Sequence, residues 1–434
     1  MALRPRPTVL LLAVALRAGA VVRAGTEEGG GSAAPPAVRT EGQSGVRQLA
    51  RRARRALDRM AKAGFYPTFR SLAQGTGIGP GLTFWKPKPF GSPLGIMATV
   101  GWSPQALLLE ARLGRIPARP GARVPDRRFT IEALTTYPPE GSNYRFFAFA
   151  EARRLDIIDD RIYYQSGPGG EPRPVVFERR LRLQDRAEET GTIPFDVSDE
   201  NYDFVAGYHF ARGVAASARM GYVRTRTTFA PAEIEQAPGL AVIPGVNETT
   251  SFTRTQLDLV FDRRDRRNRA RRGAMAEVQW LHMDEQEGSI YGFDRARFDT
   301  RGFVSDRSRR HTLALRVTGS RDSTKEGRLV PFYFQESLGG GRLLRSYPNF
   351  RFRGTRILAF STEYRYAFPK WIELAAFYDG GEVWSEVEAL GSQGYRDSVG
   401  VGIRWVTTSD VLLRLETAHG DEGWRVAVRG SFSF

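Results

Sequence analysis

The sequence predicts an all-β protein, a transmembrane barrel of sixteen antiparallel strands with a short helix near its N-terminus. Segments of about ten residues alternate between apolar and polar positions, which is typical of strands that contact lipid on one face and a polar interior on the other. No run of about 18 apolar residues occurs, so the sequence offers no membrane-spanning helix. A closed sheet is then the remaining structure in which this chain can cross a bilayer.

The last strand shows the alternation most clearly. From Trp424 to Phe434 the even positions are Trp, Val, Val, Gly, Phe and Phe, and the odd positions are Arg, Ala, Arg, Ser and Ser. In a soluble sheet the apolar face would pack on a core, whereas in a barrel it contacts lipid. Together Trp424, Phe432 and Phe434 resemble the C-terminal signal by which bacterial outer-membrane barrels are recognised for assembly.

The N-terminus predicts export. Residues 1–6 are basic, residues 8–16 are a short apolar run, and Val22-Arg23-Ala24 offers a cleavage site. We therefore expect a signal peptide at residues 1–24. Because Arg17 interrupts the apolar region, a frayed N-terminus of a soluble protein is the alternative.

Residues 25–63 precede the predicted barrel domain, which we place at residues 64–434. The Gly-, Ala- and Pro-rich stretch at residues 25–45 predicts a disordered linker. Residues 46–63 carry an apolar stripe surrounded by arginines and predict a basic amphipathic helix. This helix either lies on an anionic membrane surface or closes the barrel mouth, or it is a solvated helix with no dedicated partner.

The composition agrees with a barrel. The hydrophobic fraction is 41% and the mean hydropathy is −0.38, as expected when only every second strand residue contacts lipid. The chain has no cysteine, so stability must come from backbone pairing and closure of the sheet. The net charge of +16 arises from arginines spread through strands and turns, without a nucleic-acid-binding module. We expect outer-membrane lipid and lipopolysaccharide as partners, and no nucleic acid.

The predicted strands are separated by connections of two kinds. Short ones, such as residues 103–105, 367–370 and 407–410, follow even-numbered strands, and most long ones follow odd-numbered strands, as expected for inner turns and outer loops. Residues 161–165 and 175–183 also have strand character and either form a loop hairpin or change the count. The sixteen strands are residues 79–85, 94–102, 106–114, 128–136, 143–153, 202–210, 214–225, 252–262, 273–282, 290–304, 311–319, 356–366, 371–379, 398–406, 411–417 and 424–434.

No catalytic site, metal site or cofactor is expected, and the protein is predicted to be non-enzymatic. The histidines His209, His282, His311 and His419 are dispersed, without the spacing of zinc or iron ligands. The sequence also has no Gly-x-Ser-x-Gly nucleophile elbow, which argues against a fused lipase.

Seven arginines lie between Arg263 and Arg272. This segment is a predicted turn on the side of the short connections. It is either a solvated, self-repelling turn or a contact surface for an anionic partner.

Three motifs, in the same order along the chain, resemble those of the BamA/TamA outer-membrane barrels of the bacterial surface antigen superfamily. They are an Asp-x-Arg-Asp turn, a sixth-loop motif that normally reads aliphatic-Arg-Gly-aromatic, and a Phe-x-Asp-x-Gly-x-Val strand signature. The resemblance covers roughly residues 64–434. The matching residues are Asp262, Arg264, Asp265 and Gly273 in the turn; Leu344, Arg345, Ser346 and Tyr347 in the loop, with serine where glycine is usual; and Phe377, Asp379 and Gly381 in the strand.

The resemblance implies that Arg345 folds back into the lumen and pairs with carboxylates on the next two strands. The period-two alternation places Glu363 and Asp379 on the faces opposite their apolar neighbours, which makes them the expected lumenal partners. Such a charge-assisted pair would fix an inward-folded long loop. It either stiffens the barrel only or takes part in substrate handling.

The resemblance also implies a location in the outer membrane of a Gram-negative bacterium and a role in the assembly or translocation of outer-membrane components. The expected site is a labile seam between the first and last strands, with the barrel-assembly machinery and unfolded client proteins as partners. The segment before Gly64 is too short for a periplasmic repeat, so we expect a barrel-only member. A structural barrel or a narrow passive pore is the alternative function.

Overall fold

The structure is a computed structural model whose described residues are almost entirely β-strand and turn. The predicted signal peptide, the linker, and Phe432 and Phe434 of the terminal strand lie outside the described residues. The described residues are 52, 55–56, 59–60, 62–70, 72–73, 76, 79–86, 92, 94–116, 145–166, 172–174, 190–232, 243–266, 269–288, 290–341, 343–368, 371–384, 394–406 and 411–429.

The described residues between Arg52 and Lys62 are helical. The backbone N–H of Ala63 donates to the carbonyl of Arg59 at 3.1 Å, which is the i to i−4 hydrogen bond of an α-helix. In the described part of the chain, no helix is long and apolar enough to cross a membrane.

Most of the strands form one antiparallel sheet in which each strand pairs with its neighbours along the chain. The strands are β1 (Phe65–Arg70), β2 (Gly79–Lys86), β3 (Gly95–Ser103), β4 (Ala106–Arg115), β5 (Phe146–Ser166), β6 (Pro172–Pro174), β7 (Thr190–Ala211), β8 (Val214–Thr228), β9 (Thr249–Asp262), β10 (Gly273–Glu285), β11 (Gly292–Ser305), β12 (His311–Ser323), β13 (Glu336–Leu338), β14 (Phe352–Gly354), β15 (Arg356–Ala367), β16 (Ile372–Trp384), β17 (Arg396–Val406), β18 (Val411–Gly420) and β19 (Gly423–Arg429). The short β6 pairs only with the end of β5, and β13 and β14 pair with each other in a separate sheet. The remaining sixteen strands form the wall, which confirms the predicted strand number.

Side chains alternate along the wall with apolar groups outside and charged groups inside. The outward-facing Trp102, Phe204 and Val304 are 55%, 56% and 71% exposed. The inward-facing Arg254 and Glu363 are 1% and 0% exposed. This distribution of apolar and charged side chains is the reverse of the one found in soluble proteins. It is the arrangement of a transmembrane barrel, whose outer face contacts lipid.

The wall begins with β1, and the prediction that residues 79–85 are the first strand was wrong. The six residues of β1 pair with β2, and the rings of Phe65 and Phe84 lie 5.1 Å apart on the outer face. Pro67 hides this strand in the sequence, because proline lacks an amide donor and is tolerated in a sheet mainly at an edge. The end position of β1 makes Pro67 acceptable.

The predicted strand at residues 128–136 has no place between its neighbours in the wall. β4 pairs directly with β5, with Ala106 opposite Ile157, and residues 128–136 themselves lie outside the described residues. The wall still has sixteen strands, because β1, which the sequence did not predict, adds one strand where this predicted strand is lost. The short connection at residues 103–105 therefore follows the third wall strand, and its predicted position at the inner end of the barrel was wrong.

The ambiguous region between the fifth and sixth wall strands is a long hairpin. β5 and β7 contain 21 and 22 residues, about twice the length that a strand needs to cross a bilayer. Residues 161–165 continue β5 beyond an irregularity in the pairing between Ile157 and Asp160. They add no wall strand, and residues 175–183 lie outside the described residues.

A pair of cysteines tests whether β1 belongs to the wall. Tyr66 lies opposite Thr83, and the Cα atoms of opposite residues are about 4.5–5.5 Å apart, within the range that a disulfide bridges. Tyr66→Cys/Thr83→Cys should therefore form a disulfide in the folded barrel, measured by gel mobility after oxidation. In the control Tyr66→Cys/Phe84→Cys the two side chains point to opposite faces. Equal yields from the two pairs would contradict the register of β1.

Candidate functional site

A long connection between β12 and β15 folds into the barrel interior. It spans residues 324–355 and contains β13 and β14. The loop side chains of Leu338, Leu344 and Tyr347 are 1%, 0% and 0% exposed and pack with Ile357 of the wall. The inward-folded long loop that the sequence predicts is therefore present.

The guanidinium of Arg345 is the centre of the polar contacts of this loop. Its Nε and Nη2 donate to the two carboxylate oxygens of Asp379, each at 2.8 Å. Its Nη1 donates to Glu363 at 2.7 Å and to Glu416 at 3.3 Å. The backbone N–H of Arg345 adds a bond of 3.2 Å to Asp379. One cation thus contacts three carboxylates, which come from β15, β16 and β18.

The site is buried and covered by an aromatic ring. Arg345 Cζ lies 3.3 Å from the centroid of the Phe377 ring, a cation–π contact that adds to the ion pairs. Arg345 is 2% exposed, and Glu363 and Asp379 are 0% exposed. Salt screens such buried pairs weakly. Removing Arg345 would leave the buried charge of Asp379 without its bidentate cation, at a cost of about 3–5 kcal/mol.

The backbone around Arg345 is held in an unfavourable conformation. Leu344 has a φ of +56°, a left-handed value that costs a non-glycine residue about 1–2 kcal/mol. The N–H of Tyr347 donates to the carbonyl of Leu344 at 3.1 Å and closes a turn at this point. This turn directs the Arg345 side chain towards the wall.

The same loop segment also contacts the last strands of the wall. The backbone N–H of Ser346 donates to Ser398 Oγ of β17 at 2.9 Å. The guanidinium of Arg425 on β19 donates to the carbonyl of Tyr347, and the N–H of Asp421 donates to the Tyr347 hydroxyl at 3.3 Å. The loop therefore bridges from β15 to the C-terminal end of the sheet.

A chain of opposite charges extends from Arg345 along the lumen. Glu363 also lies 2.6 Å from the guanidinium of Arg404, and Arg404 lies 3.7 Å from Glu373. At the far end, Arg269 of the β9–β10 turn donates to Glu373 at 3.4 Å. Loop and turn are thus connected through alternating cations and carboxylates.

The residues of the turn motif shape the connection between β9 and β10. Arg264 donates to both oxygens of Asp262, at 2.9 and 2.8 Å, and Asp265 accepts from the backbone N–H of Arg271 at 2.9 Å. Gly273 has a φ of +100°, and a Cβ at this position would lie 2.2 Å from a backbone carbonyl oxygen. Only glycine fits there.

Two other predicted residues lie apart from the ion pairs. At Gly381, a Cβ would approach Leu338 Cδ1 to 2.9 Å, so the glycine leaves room for β13 of the loop. Trp424 is 73% exposed on the outer face, with its ring centroid 4.9 Å from that of His419. Of the three residues of the proposed C-terminal signal, Trp424 is the one that lies within the described residues.

Sequence reasoning missed three members of the charge network: Glu416, Arg404 and Arg269. A signal existed for the first two, because each alternates with outward-facing apolar residues on its own strand. Arg269 lies in a turn, where no periodicity assigns a direction to a side chain.

A second group of ion pairs lies on the wall from β4 to β9. Arg219 donates to Glu151 at 3.0 Å and to Asp203 at 2.7 Å. Arg112 lies 2.5 Å from Glu151, and Arg254 contacts Asp203. Within the described residues, no group of three or more His, Cys, Asp or Glu side chains could hold a metal ion.

Comparisons with known proteins give a family for this chain and a solved structure of similar fold. The Omp85 superfamily domain matches residues 184–418. BamA from Haemophilus ducreyi lacking POTRA domains 1–3 has a similar fold, with a TM-score of 0.57 at 10% identity over 87% of this chain and 78% of that chain. CdiB from Acinetobacter baumannii and from Escherichia coli give TM-scores of 0.47 and 0.46 at 10% and 11% identity, over 85% of this chain and 59% and 62% of theirs. No curated protein sequence matches.

Substitution of Arg345 tests the loop anchor. Arg345→Ala leaves the fully buried Asp379 without the cation that bonds to both of its oxygens, and it removes one of the cations of Glu363. We therefore expect the free energy of unfolding to fall by about 3–5 kcal/mol. Arg345→Lys keeps the charge but loses the bidentate fork and should give an intermediate loss. The readouts are the temperature at which the folded barrel loses its gel mobility and protease cleavage within residues 324–355.

The matched control is Arg154→Ala. Arg154 is 51% exposed beside Asp156 and Glu200, and an exposed pair contributes about 0–1 kcal/mol. If Arg345→Ala were as stable and as protease-resistant as this control, the anchor would be refuted.

Substitution of Arg269 tests the connection at the other end of the charge chain. Arg269 is 7% exposed and donates to Glu373. Arg269→Gln removes this cation and should release the turn from the lumen. We expect a higher ion conductance in planar bilayers than for the wild type. Arg272→Gln, in the exposed part of the same turn, is the control. Equal conductance of both variants and the wild type would show that the turn does not close the lumen.

Proposed function

We propose that this chain, which belongs to the Omp85 superfamily, acts in the assembly or translocation of outer-membrane components through a labile seam between its first and last strands. The protein is an integral barrel of the bacterial outer membrane. Its partners in this role would be unfolded client proteins, and the barrel-assembly machinery would act during its own insertion.

The observation that carries the proposal is the state of the two end strands. β1 has six residues and β19 is described over seven, up to Arg429, whereas β8 to β12 have 13 to 15 each. Within the described residues, β1 pairs with β2 and β19 with β18, and no ladder joins β1 to β19. A short edge with free backbone groups can pair with an added strand.

The loop contacts support the same function. Arg345 is fixed to β15, β16 and β18, and Arg425 of β19 donates to the loop backbone. These bonds hold the C-terminal side of the sheet from inside, and they do not depend on pairing between β1 and β19. An edge that is supported in this way can open towards lipid while the rest of the wall stays folded.

A structural barrel is the second candidate function. The buried ion pairs favour this function, because they stiffen the wall whether or not the seam opens. A narrow passive pore is less well supported, because the lumenal charges of the described strands, such as Arg254 and Glu363, are buried.

Disulfide trapping across the seam separates the two candidates. Phe65 and Val428 are 39% and 62% exposed on the outer face of the end strands. We expect Phe65→Cys/Val428→Cys and Phe65→Cys/Val426→Cys both to crosslink weakly in membranes, because a labile seam has no single register.

The control is Leu415→Cys/Val428→Cys, a pair that lies opposite within the β18–β19 ladder. This pair should crosslink efficiently. If one seam pair crosslinked as completely as the control and the other did not, the barrel would be closed in a fixed register. The assembly function would then give way to the structural one.

A further inference from the structure

Two adjacent turns concentrate positive charge at the inner end of the barrel. They connect β9 to β10 and β11 to β12, and their described residues, 262–266, 269–273 and 305–311, contain nine arginines and three aspartates. We call these two segments the basic rim. This end of the barrel faces the periplasm, since most of its connections are short, whereas the opposite end carries the long loop of residues 324–355.

Hydrogen bonds hold the two turns of the basic rim together. Arg271 donates to the carbonyl of Arg309. Arg272 donates to Ser305 Oγ at 3.2 Å and to the carbonyl of Asp306 at 2.8 Å. The repelling charges are thus kept close instead of being allowed to separate, and counter-charge from outside the chain would stabilise this arrangement.

The carboxylates of the basic rim are engaged within the turns. Asp265 accepts from the backbone N–H groups of Arg271 and Arg272, at 2.9 and 3.2 Å. Asp306 accepts from Ser308 and from the backbone N–H of His311. These contacts shape the turns, and the excess of arginine charge over aspartate charge remains.

The exposed arginines lie directly below the lipid-facing wall. Arg263, Arg307, Arg309 and Arg310 are exposed. The guanidinium of Arg263 lies 6.0 Å from the ring of Phe261, which faces outward and is 41% exposed.

The neighbouring residues of the wall indicate where the basic rim lies relative to the membrane. Val304, the last outward-facing residue of its strand, is 71% exposed. His311 contacts the hydroxyl of Tyr364 at 2.6 Å, and Tyr364 is 46% exposed on the outer face. Aromatic residues of this kind flank the apolar band of a barrel. The basic rim is therefore at the depth of the lipid headgroups.

We propose that the basic rim binds the phosphate groups of anionic phospholipids in the periplasmic leaflet. A guanidinium matches two phosphate oxygens with two parallel N–H donors, and clustered arginines at a membrane surface select anionic lipid. The position beside the lipid-facing wall favours a lipid over an acidic protein. This binding is independent of whether the seam opens.

Lipid retention by the full-length protein tests the proposal. The barrel is reconstituted in nanodiscs with equal amounts of phosphatidylglycerol and phosphatidylethanolamine, and the lipids that remain bound after release are counted by native mass spectrometry. We expect the wild type to prefer phosphatidylglycerol by about fivefold or more, the ratio that one surface arginine provides. Arg307→Gln/Arg309→Gln/Arg310→Gln should abolish most of this preference.

The control removes three exposed outward-facing arginines from the opposite end of the barrel, as Arg224→Gln/Arg226→Gln/Arg321→Gln. This variant should keep the preference, and heat-dependent gel mobility verifies that both variants are folded. Equal retention of the two lipids by the wild type would overturn the proposal. So would an unchanged preference in the rim variant, or an equal loss in the control. Displacement of bound phosphatidylglycerol by a soluble polyglutamate peptide would assign the basic rim to an acidic protein instead.

Discussion

The ion pairs of Arg345 are the interaction on which the arrangement of the lumen depends. A buried guanidinium is tolerated only if carboxylates surround it, and here they come from three different strands of the wall. The position of residues 324–355 is therefore fixed relative to β15, β16 and β18. The left-handed conformation of Leu344 and the covering ring of Phe377 follow from the same requirement, because both bring Arg345 to its partners.

The charge network also explains how an inner surface rich in arginine is stable. Each buried cation in the chain from Arg345 to Arg269 lies beside at least one carboxylate. In contrast, the arginines of the basic rim outnumber the available carboxylates. The network from Arg345 to Arg269 is thus balanced within the chain, whereas the basic rim depends on its surroundings. This difference separates residues that hold the fold from residues that meet the membrane.

The sequence predicts the regular strands of the wall better than it predicts the first strand, the turns and the contacts between distant strands. Period-two alternation assigns Glu363 and Asp379 to the inner face because the apolar residues of each strand, such as Phe360 and Tyr364 or Leu374 and Tyr378, fall at the alternate positions. The meeting of Glu416 with Arg345 could not be predicted, since it depends on curvature that brings together residues 71 positions apart. Arg269 is in a turn without periodicity, and Pro67 disguises β1. Propensity and alternation are local, and these contacts are set by the curvature of the whole sheet.

A double-mutant cycle between Arg345 and Asp379 measures this central interaction directly. The free energy of unfolding would be determined for the wild type, Arg345→Ala, Asp379→Ala and the double variant, all refolded in the same lipid. We predict a coupling energy of about 1.5 kcal/mol or more, the lower range for close, desolvated charge pairs, so that the second substitution costs much less than the first. Additive losses, with a coupling energy near zero, would show that the pair does not hold the loop to the wall.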